Sequence, residues 1–182
     1  MSWDDLLRLA AEQHGYFTTA QAAAEGITRR ALSWRTDRRQ VERIGRGLYR
    51  LSHWPAGPDD LLHALRVMAP FGTFSHETAL SLLGLSDLVP SVTHFTIPES
   101  SRLSARPGIR LHRSRARAGT DRTYRDGLWV STARRAILDC ARIGSDSDQL
   151  IAAALEARDR ALLTDDDLAL LRAHPRLARA GL

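Results

Sequence analysis

The sequence contains no lysine: all 26 of its basic residues are arginine. That absence excludes chemistry that needs an ammonium group at one place. The Walker-type phosphate loop, the Schiff-base enzymes and the nuclease core built on two carboxylates and a lysine are therefore not available in standard form. Cysteine is almost as scarce, and the single Cys140 can make neither an internal disulfide nor a cysteine cage for a metal. Long apolar runs are missing too. None approaches the roughly 18 to 20 residues of a membrane span, so no membrane partner is expected. The opening Met1-Ser2-Trp3-Asp4-Asp5 lacks the basic start and apolar stretch of a secretion signal, which leads to the expectation of a cytoplasmic protein. With 182 residues, 43% hydrophobic and 26% charged, the chain suits one ordinary domain or two small ones.

What is abundant is positive charge, and it is unevenly placed. Residues 29–50 hold eight arginines against Asp37 and Glu42, and residues 102–125 hold eight against Asp121. These blocks carry +6 and +7, so with a net charge of +5 the remainder is −8. Such asymmetry is expected where basic surface is reserved for a polyanion, although an isolated charge run is as often a solvated face. A GC-rich genome also enriches arginine and alanine. The position of each arginine must therefore decide its role.

Patterning predicts two domains, 1–54 and 59–182, in an α+β protein. The first opens with a helix from Trp3 to Gln13, with Leu6, Leu7 and Ala10 at helical spacing and Asp4 and Asp5 at the positive end of its dipole. His14-Gly15 stops it, Tyr16 and Phe17 supply core aromatics, and Thr18 or Thr19 caps a short helix, Ala20 to Glu25. After Gly26, Thr28 caps a third helix, Arg29 to Arg38, that turns Leu32 inward. Val41 to Ile44 and Leu48 to Leu51 flank Gly45-Arg46-Gly47, which reads as a basic hairpin. Helix, tight turn, helix and hairpin in this order are a winged helix-turn-helix. Pro55-Ala56-Gly57-Pro58 is a linker. Beyond it, helices are expected at 59–68, from Ser75 to Gly84, at 133–142, at 146–160 and from Thr164. Strands are expected at 92–97, 109–112 and 128–130, which together make a short sheet followed by C-terminal helices.

In such a unit the second helix of the motif presents its N-terminal residues to base edges, while the wing and helix ends hold phosphates. Arg29, Arg30, Ser33 and Arg35 are the candidate base readers, and Thr28, Arg38, Arg39, Arg43, Arg46 and Arg50 the candidate phosphate contacts on double-stranded DNA. The block after Ser101 offers a candidate second basic surface: Arg102, Arg106, Arg110, Arg113, Arg115 and Arg117. Trp34 is expected in the core or behind the hairpin. No catalytic residue, cofactor or metal site is assigned. His76-Glu77 begins like a zinc-protease signature, but Leu80 occupies the place of the second histidine. The seven histidines show no short ligand spacing. Asp165, Asp166 and Asp167 form a helix start, not a calcium loop. Ser75, Ser131 and Cys140 have no base and orienting acid in sequence context.

Four segments together resemble the AbiEi-type antitoxins of type IV toxin-antitoxin systems, in particular their actinobacterial members. They are Gly15 to Ala22, Arg43 with Gly47-Leu48-Tyr49-Arg50-Leu51, Ser75 to Leu80 followed by Leu83-Gly84-Leu85 and Pro90, and Val130 to Asp139. The resemblance implies a transcriptional autorepressor that binds its own promoter through its N-terminal domain. It also implies a C-terminal domain that opposes a nucleotidyltransferase-like toxin encoded beside it, a functional partner that the antitoxin need not bind. The chain departs from the family where Arg39-Gln40 stands in place of a glycine at the helix–wing junction, and where its C-terminal part stops short of longer relatives. A stand-alone winged-helix regulator is the alternative. Further alternatives are a nucleic-acid-processing accessory enzyme and an interaction protein whose middle basic block binds RNA or an acidic partner.

Overall fold

The computed structural model describes residues 2–85, 90–114 and 121–182. The chain divides into two compact units, residues 1–70 and 71–182.

The first unit begins with α1 (Trp3–Glu12), whose Leu6 and Ala10 are fully buried. Its register is set at the start by Ser2, whose hydroxyl accepts from the Asp5 amide. Gly15 follows with φ +81°, and a Cβ there would lie 2.5 Å from the Trp54 ring, so both conformation and space require glycine. Next come β1 (Tyr16–Thr18), α2 (Thr19–Ala24), α3 (Arg29–Asp37), β2 (Val41–Gly45) and β3 (Leu48–Leu51). Thr18 and Gln21 close a capping box on α2, and Thr28 caps α3 by accepting from the Ala31 amide at 3.2 Å. The strands form an antiparallel sheet in the order β1-β3-β2, with Phe17 opposite Tyr49 and Arg43 opposite Tyr49 on the other side. Leu6, Ala10, Phe17, Ala22, Leu32, Val41 and Leu51 make one core. Fully burying a Leu or Phe side chain contributes about 1.5–3 kcal/mol, so three helices and a three-stranded sheet hold together around these few residues.

Two features differ from the sequence-based expectation. Helix α4 (Asp60–Met68), expected to open the second domain, belongs to the first unit, where Ala64 and Val67 cover Tyr16 and Leu48. The apolar face of α4 was legible, but the surface it would cover was not. Trp34, expected in the core or behind the hairpin, is 47% exposed. At about 100° per residue Trp34 lies some 200° around α3 from the buried Leu32, on the opposite face.

The second unit is built on a five-stranded sheet in the order β6-β5-β4-β8-β7: β4 (Thr73–Phe74), β5 (Thr93–Pro98), β6 (Ile109–Ser114), β7 (Arg122–Arg125) and β8 (Leu128–Ser131). Pairs β5/β6 and β4/β8 are parallel, and the other two are antiparallel. Helix α5 (His76–Leu82) follows β4. Helices α6 (Ala133–Ile143), α7 (Ser147–Asp159), α8 (Asp165–Arg172) and α9 (Pro175–Arg179) close the chain. Phe74, Phe95, Ile97, Val130, Ala136 and Ile137 are buried between sheet and helices. The Val130 to Asp139 segment forms the end of β8 and the start of α6. There Thr132 caps the helix, and Asp139 accepts from Arg135 at 2.8 Å and from Arg142 at 2.9 Å. Arg134 pairs with Asp121 and Asp167, and Arg135 also reaches Asp121. Among the described residues no helix is long and apolar enough to cross a membrane.

Candidate nucleic-acid interface

Helix α3 presents one open face. Around it lie Arg29, Ser33, Asp37, Arg30, Trp34 and Arg38, all exposed, while Leu32 anchors the opposite side. The helix is held at its first turn by the Thr28 cap, so the hydroxyl of Thr28 is occupied by the backbone it orients. Arg29 and Arg30 occupy the first two helical positions, where a reading helix meets base edges. Trp34 shares this face, and the Arg38 guanidinium stacks 4.2 Å from its ring centroid. Its exposure follows from the helical spacing to Leu32, a signal already present in the sequence.

Beyond α3, Arg39 adopts φ +57° and its amide donates to the Thr36 carbonyl at 2.9 Å, which ends the helix and turns the chain into β2. An L-residue in this left-handed region carries about 1–2 kcal/mol of strain, which explains why glycine suits this junction. The β2–β3 hairpin is the wing. Its register slips between Arg43 and Gly45, and Gly47, at φ +74°, makes the turn and gives its carbonyl to the Thr19 amide at 2.9 Å. The wing tip is thereby tied to the first turn of α2, and Arg43 and Arg46 project from it into solvent.

Two predicted contacts sit differently. Arg35 is half-buried. Its guanidinium lies 3.7 Å from the Trp3 ring centroid and donates to the Gln40 side chain at 2.9 Å, tying α3 to α1 and to the start of the wing. Arg50 keeps only 15% of its side chain exposed, donating to Asp60 at 2.7 Å and to Glu42 at 3.2 Å. The remaining candidates, Arg29, Arg30, Ser33, Arg38, Arg39, Arg43 and Arg46, are brought together on α3 and the hairpin that follows it.

In the second unit, Arg102 and Arg110 are exposed and Arg106 is half-buried. Arg113 is exposed but donates to the carbonyls of Glu99, Ser101 and Leu103, which pins the loop after β5. Arg115 and Arg117 lie outside the described residues. Cys140 is buried, and burial pushes its thiol up to about 12, so it is an inert core residue. Among the described residues, the group able to hold a metal ion is His76, His94 and His112, which are separated by 18 residues in each step and so give no local signal.

A capped helix α3, a tethered basic wing and an exposed arginine face give this unit the form of a winged helix-turn-helix of the DNA-binding transcription-regulator class. Residues 4–52 match the family model described as transcriptional regulator, AbiEi antitoxin, so this N-terminal unit is similar to regulators of the AbiEi type. No curated protein matches the chain.

Proposed function

We propose that the protein is a transcriptional autorepressor and the antitoxin of a type IV toxin-antitoxin pair, acting in the cytoplasm without catalysis of its own. The observation that carries this reading is the open arginine face of α3 beside its wing, on a unit that matches the AbiEi regulators. Arg29, Arg30 and Ser33 read base edges in the major groove of the protein's own promoter. Arg38, Arg39, Arg43 and Arg46 hold phosphates, while Thr28, Arg35 and Arg50 keep the reading elements in place. The second unit serves the antitoxin role, opposing a nucleotidyltransferase-like toxin at its target, and Arg102 and Arg110 are left to a polyanion.

The test is fluorescence anisotropy with DNA from the gene's own upstream region and with scrambled DNA of equal length. Because an arginine fork on guanine is worth about 1–3 kcal/mol of discrimination, Arg30→Ala is expected to cut the specificity ratio by roughly 5- to 150-fold. Arg46→Ala weakens both DNAs alike. Equal loss on both DNAs for Arg30→Ala removes it from the readers, and a wild-type ratio near one refutes autorepression. Co-expression with the neighbouring toxin gene tests the antitoxin half through growth rescue.

A further inference from the structure

Strand β5 alternates, so His94 and Thr96 share one face of the sheet. Its neighbour β6 runs parallel with Thr96 opposite His112, which places His112 on that same face, diagonal to His94. Helix α5 starts there with His76. The three imidazoles converge: His76 stacks on His112 with ring centroids 3.7 Å apart, and His94 lies 5.1 Å and 5.2 Å from the two. Nδ1 of His94 and Nε2 of His112 are 3.1 Å apart. One ligand nitrogen from each of the three residues lies within 4.8 Å of the others. We propose that His76, His94 and His112 bind a divalent transition-metal ion of the zinc class, with three imidazole ligands and a fourth position left for water or an external donor.

Three observations favour an ion over plain core packing. Zn–N bonds of about 2.0–2.1 Å in a tetrahedron set ligand nitrogens roughly 3.3 Å apart, which the His94–His112 pair already matches. Supporting contacts are built as well: Nδ1 of His76 sits 2.9 Å from the Ser75 hydroxyl, which in turn accepts from Thr96 at 2.7 Å. In the tautomer with its proton on Nδ1, His76 donates to Ser75 and offers Nε2 to the ion. His76 also holds φ +52° while buried, a strain that filling a core does not require.

The guanidinium of Arg135 is paired with Asp139 and Asp121, and Arg110, opposite His94 on β6, is exposed. The site stands independently of the DNA-binding function proposed above.

The test uses the full chain without a histidine tag, stripped with chelator and dialysed. Zn2+ is titrated against a chromophoric chelator, bound metal is counted by mass spectrometry, and Co2+ serves as the spectroscopic probe. One ion per chain and the intense d–d bands of four-coordinate Co2+ are expected. His94→Asn and His112→Gln abolish both, Ser75→Ala weakens affinity about 10- to 100-fold, and His53→Ala, at an exposed histidine of the first unit, changes nothing. Should the histidine variants fail to fold, the Co2+ spectrum of the wild type decides alone. Absence of stoichiometric binding, a six-coordinate Co2+ spectrum, or equal loss in His53→Ala would overturn the proposal.

Discussion

Arg50 separates two jobs that its position on the wing confounds. It lies on the strand that carries the hairpin, yet its guanidinium is held between Asp60 of α4 and Glu42 of β2. Replacing it by Gln keeps part of the buried stem and removes the fork. The bond to Asp60 is charge-assisted, and such bonds are worth about 1.5–3 kcal/mol. Asp60 retains 28% of its side-chain exposure and can recruit water, which reduces the cost. Glu42 is 48% exposed and contributes little, as surface pairs do. The net expectation is a loss of about 1–2 kcal/mol, which at roughly 4–8 °C per kcal/mol for a small domain is readily seen in a thermal melt. A double-mutant cycle with Asp60→Asn should recover most of that loss as coupling.

Salt dependence of DNA binding gives the complementary readout. Each phosphate contact adds about 0.9 to the slope of log affinity against log salt. Arg46→Gln should lower the slope by about 0.9 and leave the melt within about 0.5 kcal/mol of wild type. Arg50→Gln should lower the melt and leave the slope unchanged. The opposite pattern for Arg50, a slope reduced by about 0.9 with unaltered stability, would refute its structural role and return it to the phosphate contacts.

Three other outcomes follow from geometry. Arg39→Gly releases left-handed strain of about 1–2 kcal/mol against an added chain entropy of about 0.5–1 kcal/mol, so chemical denaturation should show equal or higher stability while affinity for both DNAs falls; a clear destabilisation would contradict this. Gly15→Ala places a methyl 2.5 Å from Trp54 at φ +81°, and should cost about 2–4 kcal/mol in the same assay; a neutral result would mean that the α1–β1 corner yields. His63, stacked on His14 at 3.5 Å, is lowered by burial and then by His14. Its folded form resists protonation more than its unfolded form, so its contribution is present above about pH 6.5 and is lost as pH falls below that value. His63→Leu should flatten the acid-side decline of amide protection in residues 1–70, and an unchanged decline would exclude His63 as its cause.

Elements with a local cause were legible in the sequence. Thr28, Thr132 and Thr164 each cap the helix they precede, and the alternation around Phe95 is a strand. Strands β1 and β4 have only three and two residues, and they exist because β3, β5 and β8 offer partners. Strand β7 is polar and mostly exposed, so no period marks it, and pairing with β8 makes it a strand. The same distinction runs through the candidate sites. The arginines at the head of α3 are consecutive and were visible as a motif, whereas three histidines spaced by 18 residues meet only after a parallel β pairing and a helix bring them together.

That distinction bears on how the basic charge is used. Of the eight arginines in residues 29–50, Arg35 and Arg50 are held within the fold, and Glu42 is the partner of Arg50. Six arginines therefore remain outward against Asp37 alone, +5 against a formal +6, so most of the segment's field survives after the fold has taken its share. In the second unit the balance differs: Arg134, Arg135 and Arg142 are matched by Asp121, Asp139 and Asp167, and Arg113 binds loop carbonyls. Guanidinium forks suit both uses, because the planar geometry that grips a guanine or a phosphate also grips a carboxylate or several carbonyls at once. A lysine-free chain can thus build its scaffold and its DNA surface from one residue type. The partner each arginine meets in the fold decides which use it serves, and paired stability and salt-slope measurements can assign the two uses residue by residue.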